Sequence, residues 1–488
     1  MNVIDRVIDH RIAEWLFLLT FATYAYFFAG GGWNQNATFD LTRAIVERHT
    51  FAIDAYAGNT GDVSFGRGHV YANKAPALAW LAAIPYAPLY ALEKSRGADP
   101  GNAQLLTINA YLCALVCVAF PGACIPTMLF LYARRRGFDA RWSAFAALSI
   151  ALATQLLPYA TILMVAVPSA ALLLFAMTTP RRALAGFAAA LAVAMNYLCA
   201  PALLVFAFTG PRKTWLRYAA GALPPLVALL AYQRICFGGF FTTSVEVTDP
   251  RFLTHGAPLG VIQRPSLEVL YAITLSPYRG FFFFAPLLVI ALCGFAAWWR
   301  RERVACAAAV VVIVTFVAFN ASFNGWDGGF GIGGRYLTPL IPLFGIALLH
   351  VRWRARALAV VAAAISFVFN VAATAVDPQP SGSIPRPLTQ YIAPLLLHGQ
   401  FPADVPITPP WSSATFTGHT SVNRMALDEA VVFARHAPAS EASEWASFNL
   451  GELATGPGDA RSLIPILLVI LGGGFVIARL ATKSARST

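Results

Sequence analysis

Apolar residues in this chain come in blocks, each separated from the next by a short polar or basic stretch. The blocks run roughly over 13–30, 75–92, 104–133, 142–158, 160–178, 183–196, 198–210, 214–234, 279–299, 303–319, 336–350, 355–375 and 462–480. Most are long enough to cross about 30 Å of hydrocarbon as helix. The pattern predicts an all-α polytopic membrane protein with about 11–13 transmembrane helices. Two polar intervals are long. The chain therefore divides into a core over 1–376 with a first outward loop at 31–74, a long outward loop at 377–461, and a last transmembrane helix with a basic tail at 462–488. A helix is expected around 421–435 in the second loop.

Charge orients these blocks. Basic clusters at 134–136, 300–303, 352–356 and 483–486 sit between apolar stretches, as the positive-inside rule requires of a cytoplasmic face. The loops near 235–278, 320–335 and 376–461 then face outward. Between 75 and 210 the alternation fails, because counting every block as a crossing puts Arg134, Arg135 and Arg136 outside. The pair 183–196 and 198–210, with Asn196 and Pro201 at the join, is the expected non-crossing element.

Composition agrees with the pattern. Hydrophobic residues make up 58% of 488 positions and charged residues 12%, with a mean hydropathy of +0.62, too few charges to cover a soluble domain of this size. The net charge of +12 belongs to the topology clusters, so no nucleic-acid partner is expected. Seven cysteines, mostly within apolar blocks, show no metal-ligand spacing and no disulfide framework. The first apolar block reads as a retained helix, because no small-residue cleavage site follows it.

Chemistry concentrates in the first outward loop. Asp40, Arg43 and Glu47 recur at helical spacing, and Leu41, Ala44 and Ile45 offer apolar contacts, which predicts a short amphipathic helix over 38–50 with Thr38 as N-cap. Asp40 either serves the helix dipole and pairs with Arg43, or does chemistry. Lys74 stands where the chain re-enters the bilayer. From there it either snorkels to the interface or meets an anionic lipid headgroup.

The order Asp40, Arg43, "AIVERHTFAID" and "GHVYANKAPALAWLAAIPY" resembles the first outward loop of GT-C membrane glycosyltransferases, closest to the protein O-mannosyltransferase-like enzymes of glycosyltransferase family 39 and the lipid A aminoarabinose transferases. "SPYRGFFFFAPLL" at 276–288, "GWDGGFGIGGRYLTPLIPL" at 325–343 and "WASFNLGELATG" at 445–456 resemble bacterial members of the same group, so the likeness touches most of the chain. It implies a GT-C-like bundle that moves a sugar from a polyprenyl-phosphate carrier to a protein, lipid or glycan acceptor, with inversion. The reaction would occur on the non-cytoplasmic face of a bacterial inner membrane. No cofactor is expected, and a divalent metal is left open.

In that family a carboxylate of the first outward loop is the base. The matching position is Asp40, but the family's second acid is missing beside it, so Asp54 competes for the role. The lysine implicated in carrier-phosphate binding matches Lys74. Charge developing on a phosphate leaving group calls for fixed cations. Arg279 and Arg335, flanked by Gly280, Gly333 and Gly334, are the further candidates. Arg43, His69, Tyr71 and Asp327 are expected to contact substrate, with Asp327 alternatively orienting Arg335. A lipid-linked sugar flippase is a rival reading, as is a carrier-binding relative without turnover. The flippase would place ionisable groups mid-span, and few occur there.

Overall fold

A computed structural model of the chain describes residues 3–398, 447–456 and 459–486; the helix expected around 421–435 lies outside them. The molecule is a helical bundle. Its two ends differ in chemistry, one basic and one built from polar loops.

The helices that run between the ends are α1 (Val3–Ala25), α4 (Gln104–Arg135), α5 (Ala140–Leu152), α6 (Ala166–Thr178), α7 (Arg182–Met195), α8 (Ala200–Ala207), α9 (Trp215–Phe237), α10 (Pro286–Arg301), α11 (Arg303–Ser322), α12 (Ile341–Leu349), α13 (Trp353–Val376) and α14 (Ile464–Arg486). These are twelve apolar segments among the described residues, of which α8, with 8 residues, and α12, with 9, are too short to cross a bilayer by themselves. Five helical segments are by themselves long and apolar enough to cross a membrane. Two further helices, α2 (Trp33–Arg48) and α3 (Ala77–Ser95), stay at the loop end.

Ion pairs tie the basic end together. Arg134 Nε lies 2.9 Å from Asp9 Oδ2, joining α4 to α1, and its guanidinium also donates to Ser484 of α14 at 3.3 Å. Arg136 pairs with Glu302, which also accepts from Tyr132 at 2.9 Å. Three of the basic clusters therefore share one face, as the charge pattern predicts.

The parity failure between 75 and 210 has a different cause from the one expected. The hydroxyl of Tyr111 donates to the carbonyl of Ala25, so the start of α4 lies level with the loop-end terminus of α1. Arg134 lies at the opposite end. Helix α4 thus runs from loop end to basic end, and α3 before it must begin and finish at the loop end. The block that does not cross is 75–92. Tyr86 of α3 donates to Glu47 of α2 at 2.6 Å, and Asn109 of α4 donates to Glu93 of α3 at 2.8 Å, which anchors α3 among loop-end partners. The suspected pair makes two short passes. Asn196 breaks the helix with φ −150° and ψ 106°, and its side chain accepts from the Leu198 N–H. Arg182 at the start of α7 then donates to the carbonyls of Phe206 and Ala207 at the end of α8, which holds the two antiparallel.

Helix α4 has 32 residues, about 48 Å at 1.5 Å each, so it overshoots the hydrocarbon. A π turn over Leu115–Ala119 precedes Pro121, whose ring would crowd the carbonyl four residues back and whose missing N–H leaves that carbonyl unbonded. Backbones meet where glycine permits: a Cβ on Gly186 of α7 would lie 1.9 Å from the Tyr218 carbonyl of α9, and one on Gly294 of α10 would lie 1.9 Å from the Ala347 carbonyl of α12.

At the loop end, β1 (Phe27–Phe28) pairs antiparallel with β4 (Phe448–Asn449), tying α1 to the segment before α14. A hairpin of β2 (Val63–Gly66) and β3 (His69–Ala72) turns through Arg67 and Gly68, both at positive φ, the requirement of a type I′ turn. Residues 244–249 lie along its free edge, where the Phe65 N–H donates to Val247 and the Asp249 N–H to Val63.

Candidate functional site

Helix α2 starts five residues earlier than the amphipathic pattern predicts. It begins at Trp33 after Gly32 (φ 90°), so Thr38 is interior and donates to the Asn34 carbonyl instead of capping. The helix is also sunk, with Asp40 and Arg43 buried. Arg43 Nε lies 3.0 Å from Glu47 Oε1, and its guanidinium stacks 4.2 Å over the Tyr56 ring. Glu47 accepts from Tyr56 at 2.8 Å as well as from Tyr86. That cluster fastens α2 to α3, so Arg43 acts in packing.

The early start carries Trp33, Asn34 and Gln35 into the wall of a cavity of about 350 Å³ at the loop end. Lys74 comes from the chain just after the hairpin, Asn196 from the break between α7 and α8, and Arg335 and Tyr336 from the head of α12. Asp62 is the one carboxylate among the described wall residues.

Hairpin register places it there. Val63 faces Ala72, and one step further the Asn73 N–H donates to the Asp62 carbonyl at 3.0 Å. Lys74 follows directly, and its Nζ lies 2.7 Å from Asp62 Oδ2. Burial pulls the Lys74 pKa below its ordinary value, with Asp62 opposing that shift and Arg335 adding to it. Arg335 is therefore close enough to act on Lys74 electrostatically. Its guanidinium donates to the Phe330 carbonyl and the Tyr336 hydroxyl, each at 3.3 Å. Gly61 completes the corner: a Cβ there would stand 2.4 Å from the Trp33 ring, so only glycine lets the loop close on the indole.

The remaining predicted residues lie outside the cavity wall. Asp40 is fully buried in α2 and accepts from Asn59 Nδ2 at 3.2 Å, behind the turn that meets the cavity. Asp54 sits half-exposed at the hairpin, where it accepts from the Val70 N–H and contacts His69 Nδ1, both at 2.7 Å. Its partial desolvation is outweighed by those partners, which hold its pKa low. Asp54 and His69 thus brace the hairpin. Tyr71 is buried with its ring 5.4 Å from Phe237. Arg279 is 1% exposed and donates to the carbonyls of Gly329 and Gly331, while Tyr278 donates to Gly382 and Asp327 accepts from the Gly329 N–H at 3.2 Å. Arg279 and Asp327 hold the glycine-rich loop 325–334, and it is the loop that faces the cavity. Gly328, Gly329 and Gly333 have positive φ there.

Asp62, Asn73, Gln35 and Asn324 also line the cavity and were not among the expected site residues. A signal for the first two existed. Reading Arg67-Gly68 as a two-residue hairpin turn pairs 62 with 73 and brings Asp62 beside Lys74.

No known family model matches this chain, and no curated protein does. Among solved structures it is similar to ArnT from Cupriavidus metallidurans. The apo state has a TM-score of 0.45 at 16% identity over 96% of this chain and 75% of that one. The form bound to undecaprenyl phosphate has a TM-score of 0.44 at 16% identity over 98% and 77%. It is also similar to the archaeal oligosaccharyltransferase AglB from Archaeoglobus fulgidus, in complex with an inhibitory peptide and a dolichol-phosphate. There the TM-score is 0.43 at 14% identity over 84% of this chain and 61% of that one.

Proposed function

We propose that this membrane protein is a glycosyltransferase whose loop-end cavity holds a polyprenyl-phosphate sugar and passes the sugar, with inversion, to an acceptor hydroxyl. The observation that carries the reading is the convergence of Lys74 and Arg335 on one cavity with a single described carboxylate, Asp62. The motif order of the first outward loop supports it.

Lys74 and Arg335 take the phosphodiester. Asp62 balances Lys74 at 2.7 Å; a phosphodiester at Lys74 takes over that role and releases Asp62 to accept a proton. The acceptor oxygen then bonds to the anomeric carbon as its proton passes to Asp62. The bond from that carbon to the phosphate oxygen breaks, and its electron pair stays on the phosphate beside the two cations. Asp40, the position that matches the family motif, is the rival base. A carrier-binding protein without turnover would use the same cations.

Purified protein in nanodiscs, given a synthetic polyprenyl-phosphate sugar labelled in the sugar, tests the reading. Transfer that depends on Lys74 supports it. Binding without transfer to any hydroxyl acceptor points to the carrier-binding alternative, and absence of binding overturns both.

A further inference from the structure

Between α5 and α6 the chain makes a short helical turn, Leu156–Tyr159, at the break between the apolar blocks 142–158 and 160–178. Tyr159 is fully buried there, behind the cavity wall. Its hydroxyl donates to the Ile332 carbonyl at 2.7 Å and accepts from the Ile332 N–H at 3.0 Å. One side chain thereby fixes the peptide groups on both sides of a single residue, as a neighbouring strand would. Ile332 is itself buried, so both bonds form where a lost partner is expensive. Gln155, one turn earlier, donates to the Phe281 carbonyl at 2.8 Å, and a Cβ on Gly333 would stand 2.9 Å from its amide nitrogen. The turn over 155–159 is thus the floor on which the end of the glycine-rich loop rests.

Arg335 is built onto the same stretch. Its backbone N–H donates to the Gly333 carbonyl at 3.0 Å. Its guanidinium reaches back to the Phe330 carbonyl at 3.3 Å, and a Cβ on Gly328 would stand 3.2 Å from its Nε. The side chain therefore lies along the loop that precedes it. A Cβ on Gly331 would meet the Tyr159 hydroxyl at 2.7 Å and Arg335 Cδ at 3.6 Å, so hydroxyl and arginine stem flank one glycine. Arg279 holds the loop at Gly329 and Gly331. Tyr159 holds it at Ile332, between those carbonyls and Arg335. A guanidinium gives a phosphate two parallel bonds only while its plane is held in place. Here the carbonyl that orients it moves with the loop.

We propose that Tyr159 is a positioning residue of the carrier site, which by pinning Ile332 sets the Arg335 guanidinium against the carrier phosphate. This rests on the polyprenyl-phosphate reading above.

The test measures binding of polyprenyl phosphate to full-length protein in nanodiscs for the parent, Tyr159→Phe, Arg335→Met and the double variant. Tyr159→Phe keeps the ring and removes only the hydroxyl. It should weaken binding by about tenfold in the parent and by less than about twofold once Arg335 is Met, because groups that act through one contact do not add. A general loss of packing would instead weaken binding equally in both backgrounds. That result, or full affinity in Tyr159→Phe, overturns the proposal and leaves the donor reading standing. If Tyr159→Phe fails to fold, Gly331→Ala runs the same cycle, since its methyl wedges between hydroxyl and arginine stem without removing either. The same two outcomes decide it. A parent that binds no polyprenyl phosphate, or binds it equally well as Arg335→Met, overturns the donor reading and this inference with it.

Discussion

Lys74 Nζ and Asp62 Oδ2 stand 2.7 Å apart in the wall of the loop-end cavity, twelve residues apart in the chain and brought together by the turn at Arg67 and Gly68. The pair presents a desolvated cation beside the cavity's one described carboxylate. On the proposed reading this one contact would join phosphate binding to proton acceptance, and each half can be tested by substitution.

Lys74→Met should weaken binding of polyprenyl phosphate by about a hundredfold, the scale expected when a desolvated site loses a charge-assisted hydrogen bond. Asp62→Asn should leave binding within a few fold and lower single-turnover transfer by about 10²–10⁴, as expected for loss of a general base. Titration with a fluorescent carrier and a rapid-quench assay separate the two. If Asp40→Asn abolishes transfer while Asp62→Asn does not, the base is Asp40.

Carrier affinity should fall as pH rises, and should do so below the ordinary lysine value of 10.5, because burial lowers the Lys74 pKa. A lysine whose folded pKa lies under its unfolded one destabilises the charged folded state. That penalty is present in full below the folded pKa and fades as pH rises through it. The phosphate needs the charged form, so the pH that relieves the fold removes the ligand. Lys74→Arg should flatten the profile, since a guanidinium stays charged. Affinity measured from neutral to alkaline pH checks both.

Asp54→Asn should leave transfer within about twofold, because the carboxylate braces an exposed hairpin outside the cavity wall, where such pairs contribute little. Its lowered pKa makes its contribution present above the unfolded carboxylate pKa and lost as pH falls through the folded one. The mutant should therefore differ from the parent in hairpin hydrogen exchange at neutral pH and converge with it in acid.

Arg279→Met should destabilise the loop 325–334 by about 3 kcal/mol, since it leaves the carbonyls of Gly329 and Gly331 without their buried donor. A lowered apparent Tm together with a raised KM for the carrier is the expected result. Unchanged KM would mean that the loop keeps its shape without the arginine.

Gly61→Ala should cost about 1–3 kcal/mol by overpacking, because the new Cβ falls 2.4 Å from the Trp33 ring. Displacement of the indole or of Asp62 should also slow transfer. Steady-state kinetics and intrinsic fluorescence read the two effects.

Hydropathy and the placement of arginines by themselves determined that the chain lies in a membrane, where its apolar helices fall, and which of its ends is basic. These are properties of single segments, set by the transfer free energy of about 20 residues at a time. The same arithmetic mistook α3 for a crossing. Its apolar surface is partly buried against α2 and α4, and hydropathy does not distinguish protein from lipid as the covering phase. The first outward loop was legible as the place where polar and ionisable groups collect, and Lys74, which lines the cavity, was legible with it. Which carboxylate meets that lysine was decided only by hairpin register, a long-range pairing in which one step exchanges the two faces of a strand. Asp40 and Asp54 had the residue type that the chemistry asks for, while folding buried the first behind a helix turn and left the second on an exposed hairpin. Composition supplies the candidate groups, and tertiary contacts select among them, because a site requires atoms from distant segments to share one small volume.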